Sequence, residues 1–422
     1  MTLILNSVIF ENNLQLSFMA FKPANNIQDL QYFGEFGGVN PSISDSSTYT
    51  FLSAKTMFDT FEGNADGCYL YSRHSSPSNL YLGEALAAME GTETATVTAS
   101  GMGAITPVLL QLCGAGEHVV SSRTIYGGTY AFLKNFAPRL GVDTSFVDIT
   151  KLDIVEAAIT LKTKVLYCES VSNPLLEIAD IKGLAQLAKK YNLKLVVDNT
   201  FSPLSISPKK LGADIVIHSL TKFINGSSDT VGGVVCSTQE FIDQLRNVND
   251  GAAMLLGSTM DSLRSASVLK NLRTLHIRMQ QHSKNAYYLA KNFEKLGIKT
   301  VYPGLESHPS HHLFKSMMNQ EYGFGGMLTI DVGSLDKANA FMELMQKRNL
   351  GYLAVSLGFY KTLFSAPGSS TSSEIPEKEQ EEMGLSDGLI RFSIGLDADI
   401  ERTFGIMHEC MTELEILEVE MV

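Results

Sequence analysis

The 422-residue chain is poor in cysteine: Cys68, Cys113, Cys168, Cys236 and Cys410 are an odd number, widely spaced, with no Cys-x-x-Cys pair. That argues against a disulfide framework and reads as free thiols in a reducing cytoplasm. Basic residues are also short, leaving a formal net charge of −12. The balance disfavours nucleic acid or an anionic membrane as partner, so any anionic ligand must be held by local donors. No apolar stretch approaches the roughly 18 residues of a spanning helix. Residues 1–10 lack a basic segment and run into Glu11, which is not a secretory signal. Met19 is an alternative start, in which case residues 1–18 are a dispensable extension. Internal repeats are missing, and so is the Gly-x-Ser-x-Gly elbow of a serine hydrolase.

What is present is an alternation of helix and strand. A hydrophobic content of 44% fits a globular protein, and the length suggests about two domains at roughly 100–200 residues each. Residues 1–65 read as an irregular arm, 66–260 as a large domain, and 261–422 as a smaller C-terminal α/β domain entered by a long helix over 261–296. Short apolar runs fall at 95–98, 118–121, 145–149, 165–168, 195–197, 215–217 and 231–236, with helical stripes such as Leu82, Ala85, Leu86, Met89 and 181–191 between several of them. Later strands are expected near 327–332 and 389–396. Strands of continuous apolar character separated by helices indicate a mostly parallel sheet covered on both faces. Such sheets bind ligands beyond the carboxyl ends of their strands. The segment 365–373 is compositionally a loop, and the acidic run 374–382 a solvated face.

Three strand ends carry chemistry. Asp214-Ile215-Val216-Ile217-His218-Ser219-Leu220-Thr221-Lys222 ends an apolar run in hydroxyls and an amine, and Leu193-Lys194-Leu195-Val196-Val197-Asp198 ends one in an acid. Singly, Lys222 opens a solvated turn and Asp198 makes a local Asx turn. Together they suit the two ends of pyridoxal phosphate (PLP): the amine forms a Schiff base with its carbonyl carbon, and the carboxylate keeps the ring nitrogen protonated. Ser100-Gly101-Met102-Gly103 follows a strand and opens a helix, as a phosphate cup or as a packing glycine pair. Position 106 is Thr, so the dinucleotide fingerprint is incomplete and a nicotinamide dehydrogenase is disfavoured.

Tyr126, in Tyr126-Gly127-Gly128-Thr129, offers a ring to stack on a planar cofactor and a phenol for proton transfer, or is simply a turn tyrosine. Tyr71 and Arg73 share a face if extended, which suits a phosphate. Arg391 interrupts the apolar run Leu389-Ile390-Arg391-Phe392, where a substrate carboxylate and a structural salt bridge are both natural partners. His308, His311 and His312 lack an accompanying ligand set, so a loop is preferred to a metal site.

These blocks, with Glu169-Ser170-Val171-Ser172-Asn173-Pro174 and Val355-Ser356-Leu357-Gly358, resemble the Cys/Met-metabolism PLP enzymes of the cystathionine γ-synthase type from about Phe33 onward. Within them the chain is most similar to the plant-type methionine γ-lyases, through stretches such as Phe33-Gly34-Glu35-Phe36-Gly37-Gly38-Val39-Asn40 and Met254-Leu255-Leu256-Gly257. The resemblance implies the aminotransferase-like fold type I and assigns roles. Lys222 binds the cofactor and moves protons, Asp198 pairs with the pyridinium, and Tyr126 stacks and protonates the leaving thiolate. Ser100, Gly101, Met102, Ser219 and Thr221 bind phosphate, with Tyr71 and Arg73 reaching in from a neighbouring subunit of a homotetramer. Arg391, Ser356 and Asn173 hold the substrate carboxylate. The implied reaction is γ-elimination of L-methionine. γ-Replacement, cystathionine lysis and a non-catalytic PLP-binding protein are the competing readings. The chain departs from many bacterial members at Gly128 (cysteine there) and Ser227 (histidine there).

Overall fold

The computed structural model describes residues 21–32, 34–65, 67–368, 378, 380 and 385–417. The proposed extension 1–18, the Ser-rich segment beyond Gly368 and nearly all of the acidic run lie outside them. Seven strands form the larger sheet: β1 (Thr94–Thr98), β2 (His118–Ser122), β3 (Asp143–Val147), β4 (Thr163–Glu169), β5 (Lys194–Asp198), β6 (Ile215–Ser219) and β7 (Gly233–Ser237). Their order is β1-β7-β6-β5-β4-β2-β3, and only β7 runs against its neighbours.

Alternation along β4, β5 and β6 explains why these strands read as unbroken apolar runs. Leu166, Cys168, Leu195, Val197 and Val216 enter one core layer, while Val165, Tyr167, Val196, Ile215 and Ile217 enter the other. The first layer packs against helix α1 (Pro77–Glu90) and the second against helix α2 (Gly101–Leu112). Helix α1 ends at Gly91, whose φ of 71° is the left-handed conformation that glycine adopts without strain. The stripe 181–191 forms helix α3 (Ile181–Tyr191), capped by the Asp180 side chain, which accepts the Gly183 N–H.

The expected long helix is two: α4 (Ser262–Leu272) and α5 (Leu275–Lys295), with Arg273 and Thr274 between. No proline or glycine marks this break. A tertiary contact sits at it: the half-buried Arg278 guanidinium donates to the carbonyls of Asn271 (2.9 Å), Ile224 (2.8 Å) and Phe223. A carbonyl freed at the break thus finds a charged donor, which offsets the lost helical bond.

Beyond α5 lies a five-stranded sheet of β8 (Lys299–Val301), β9 (Met327–Asp331), β10 (Tyr352–Leu353), β11 (Leu363–Ser365) and β12 (Leu389–Ser393), ordered β10-β11-β12-β9-β8 and antiparallel except for the β10–β11 pair. The arm is less irregular than its composition suggests, since Pro23–Gln28 and Ala54–Phe61 are helical. His311 and His312 open the helix His311–Met317 rather than lying in a loop. The His308 and His311 rings bond to the carbonyls of Leu176 and Pro303. No helix among the described residues is long and apolar enough to cross a membrane.

The second sheet depends on an aromatic cluster. Phe293 of α5 is fully buried, 5.6 Å from the Phe404 ring and 6.4 Å from that of Phe392. Phe293→Ala is expected to cost about 3–5 kcal/mol, read as a lower midpoint in denaturant unfolding of the C-terminal portion.

Candidate active site

In-register parallel pairing aligns three strand ends at one edge of the larger sheet. Glu169 lies opposite Asp198, and Asp198 opposite Ile217, two residues before Ser219. All three side chains share the face that packs on α2, and they open on a cavity of about 230 Å³. Its walls bring together most of the residues singled out in the sequence: Ser100, Gly101, Met102, Tyr126, Asn173, Asp198, Ser219, Thr221, Lys222 and Arg391.

Asp198 is 8% exposed. Its Oδ1 accepts from the Thr200 N–H (2.9 Å) and hydroxyl (2.5 Å). The Asx turn foreseen for it is therefore real, yet it occupies one oxygen only. Oδ2 has no donor among the described residues. Burial pushes the carboxyl's pKa up, and the two Thr200 hydrogen bonds pull it down. An ionised carboxylate in such a place requires a cationic partner. Thr200 is itself fixed, because its hydroxyl accepts the Ser219 N–H at 2.8 Å and so ties β5 to β6 beside the cavity.

Lys222 Nζ donates to Ser356 Oγ at 3.1 Å. Burial first, and the Arg391 charge second, lower its pKa to about 8. The amine thus loses its proton far more readily than an ordinary lysine, and the uncharged form is the one that acts as nucleophile or base. Arg391 is 3% exposed; Nη1 donates to Asn173 Oδ1 (2.9 Å) and Nη2 to the Ser356 carbonyl (3.4 Å). Buried Nε has no hydrogen-bond partner, and no carboxylate pairs with the guanidinium among the described residues. The salt-bridge alternative therefore finds no acid, and a guanidinium edge is left for an anion that enters the cavity.

The opposite wall is the start of α2. Ser100 caps it, accepting the Gly103 N–H at 2.9 Å, so the next backbone N–H groups point outward at the positive end of a twelve-residue helix. A β-carbon at Gly101 would stand 2.9 Å from Ser219 Cβ, so glycine lets this helix start approach β6. Thr221 Oγ1 accepts the Gly232 N–H at 3.1 Å, which fixes the hydroxyl loop between β6 and β7.

Tyr71 and Arg73 do not line this cavity. Tyr71 bridges Thr48, residues 72–74 turn rather than extend, and Arg73 Nη1 donates to the Met254 carbonyl at 3.1 Å. Two further features carried no functional reading in the sequence. Glu169 is buried in the cavity wall, and its signal was an acid ending an apolar strand, as at Asp198. Behind the sheet, fully buried His218 Nε2 meets Glu90 Oε1 at 2.7 Å. Asn199 Nδ2 approaches the same oxygen at 3.4 Å while bonding the Ile206 carbonyl at 2.9 Å. This node joins α1 to the residues flanking Asp198 and Ser219; nothing in the local pattern of Glu90 reveals it.

Comparison with known proteins decides the class. Residues 25–403 match the profile of the Cys/Met metabolism PLP-dependent enzymes. The chain belongs to this family. It is 46% identical over 387 residues to methionine gamma-lyase of Arabidopsis thaliana, covering 90% of this chain and 88% of that protein. With the cystathionine gamma-lyase of Bacillus subtilis it shares 39% identity over 333 residues, or 78% and 85% of the two chains. A Campylobacter jejuni structure described as an O-acetylhomoserine (thiol)-lyase, bearing a pyridoxyl-lysine monophosphate, superposes with a TM-score of 0.85 at 29% identity, covering 93% of this chain and 100% of that one. The cavity fits the cofactor of these PLP-dependent enzymes: an unpaired oxygen of the buried Asp198 carboxyl suits a pyridinium, a capped helix start suits a phosphate, and an amine of lowered pKa suits an aldehyde.

Two outcomes follow from this geometry. In cofactor-free protein, acylation of Lys222 by an amine-directed reagent should rise with a midpoint near 8. Arg391→Met should move that midpoint upward, since losing a neighbouring positive charge favours the ammonium; mass spectrometry across a pH series reads both. A β-carbon at Gly128 would come within 2.6 Å of Tyr126 Cε1, so Gly128→Ala should displace the ring and lower turnover by about ten- to a hundredfold, with thermal stability held as the control.

Proposed function

We propose that this chain is a carbon–sulfur lyase that takes L-methionine and water to methanethiol, 2-oxobutyrate and ammonia. The observation that carries the reading is the enclosure of Lys222, Asp198, Tyr126 and Arg391 around one cavity. PLP, when bound, supplies an electron sink for the bonds at the substrate α-carbon.

The chain's own residues supply the rest. Asp198 would hold the ring nitrogen of the cofactor, and Ser100, Gly101, Met102, Ser219 and Thr221 would hold its phosphate. Arg391, steadied by Asn173 and the Ser356 carbonyl, grips the substrate carboxylate and orients the α-hydrogen. Lys222 Nζ takes the proton from Cα, gives it up again within the site, and only then, as free base once more, takes one from Cβ; its lowered pKa keeps a useful fraction as free base near neutrality. Tyr126 delivers a proton to the departing sulfur, because an alkylthiolate is a poor leaving group without an acid.

The apolar part of the lining favours a thioether. Beyond the groups already engaged the cavity is lined by Val231, Val355, Leu357, Ile105 and Phe201. Lys222 and Arg391 are the only cations among its described lining residues, so a second amino-acid head such as that of cystathionine meets no counter-charge here. Tyr71 and Arg73, exposed apolar Phe36, Leu52, Phe58 and Phe61, and neighbouring Leu255 and Leu256 support an assembly, a homotetramer of site-sharing dimers, in which a partner completes the phosphate end. Five free thiols favour a reducing cytoplasm.

Lys222→Ala is expected to abolish methanethiol release from methionine, a loss of at least about a thousandfold, while circular dichroism stays native. Near-normal turnover in that variant refutes the assignment. Faster thioether formation from an acylated homoserine than methanethiol release by the unmodified protein would move the reaction to γ-replacement.

A further inference from the structure

Glu169 is a buried acid that the reaction as drawn does not use. It is 7% exposed at the end of β4, beside Asp198 in register. Both of its oxygens are committed to backbone. Oε1 accepts the Tyr126 N–H at 2.6 Å, and Oε2 accepts the Asn173 N–H at 2.9 Å. Those donors begin two different walls. Tyr126 carries the ring over the cavity mouth; Asn173 carries the carboxamide that holds Arg391 Nη1 at 2.9 Å. From Arg391 the chain of contacts continues through the Ser356 carbonyl, and Ser356 Oγ accepts from Lys222 Nζ. Burial and the adjacent Asp198 carboxyl push the Glu169 pKa upward, and the two N–H donors oppose them. Two backbone donors, one on each oxygen of a single carboxyl group, fix its direction and their own. Moving that carboxylate moves both walls.

We propose that Glu169 is a positioning residue whose single carboxylate sets the Tyr126 ring and the Asn173–Arg391 carboxylate clamp as one unit. The proposal rests on the site reading given above, since it takes Arg391 as the group that meets the amino acid's carboxylate. Its consequence is specific: the affinity for an amino acid's carboxylate depends on Glu169, whereas the affinity for a plain amine does not. Glutamine is the informative substitution. It keeps the size but places an NH₂ donor against one of the two N–H groups, and a donor facing a donor forces that wall away.

The experiment titrates the visible band of the holoenzyme with glycine, which has a carboxylate and no sulfur to lose, and with ethylamine, which has the amine alone. In Glu169→Gln the dissociation constant for glycine should rise at least tenfold while that for ethylamine stays within twofold. A cycle with Asn173→Ala locates the effect. If Glu169 acts through Asn173, adding Glu169→Gln to Asn173→Ala should cost less than a further threefold in glycine affinity. A glycine constant within twofold of the parent, an equal loss for both ligands, or fully multiplicative losses in the cycle overturns the proposal. Should the glutamine variant fail to fold, Glu169→Asp withdraws the same charge by one methylene and carries the same expectation and the same refutation. A parent protein that forms no visible band would sink the site reading instead, and so the two failures remain distinct.

Discussion

The placement of β5 between β4 and β6 is the constraint on which the site depends. Hydrogen-bonded parallel register fixes which residues end up side by side, and a slip of one residue would turn every side chain to the opposite face. With this register Glu169, Asp198 and Ser219 all face α2, whereas Asn199 and His218 lie on the α1 side. The edge is therefore two-sided. Chemistry sits on the α2 face, and a buried polar anchor of Glu90, His218 and Asn199 sits on the other. Buried polar groups of this kind are costly when half-satisfied and rigid when well paired, so the anchor trades some stability for definition of the strand ends.

Electrostatics inside the cavity follow from the same packing. Arg391 is buried and Lys222 half-buried near it, and each is deprived of water without receiving a carboxylate in exchange. Their pKa values fall for that reason, to about 8 and about 10. Asp198 and Glu169 stand on neighbouring strands, both pushed upward by burial. The two cations and the two acids thus line one cavity, and no ion pair joins them among the described residues. That is the signature of a site built to receive a ligand carrying both kinds of charge.

Much of this was legible in the chain because strand runs and their terminal residues are local signals. The run 215–217 and its following hydroxyls and lysine, and the run 195–197 with its acid, announced β6 and β5 without any knowledge of contacts. Helix α3 was readable to its ends from its apolar stripe. Long-range effects were not. The division of α4 from α5 is held by Arg278, which reaches the Phe223 and Ile224 carbonyls some fifty residues away, and no proline or glycine near 273 announces it. Glu90 meets His218, 128 residues away, and Glu169 meets Tyr126, 43 residues away, so these links appear only once the sheet is assembled. Arg391 was visible as an oddity in an apolar strand, but the choice between an internal acid and an incoming anion needed its actual neighbours.

The Arg278 guanidinium also has a mechanical meaning. It clasps the carbonyls immediately after Lys222 with one edge and the end of α4 with the other, at the point where the chain turns toward the five-stranded sheet that bears Arg391. The amine at the centre of the cavity is thereby riveted to the stem of the outlying sheet. Three carbonyls from two separate parts of the chain share one guanidinium, which ties the lysine loop to the helix pair that leads into that sheet.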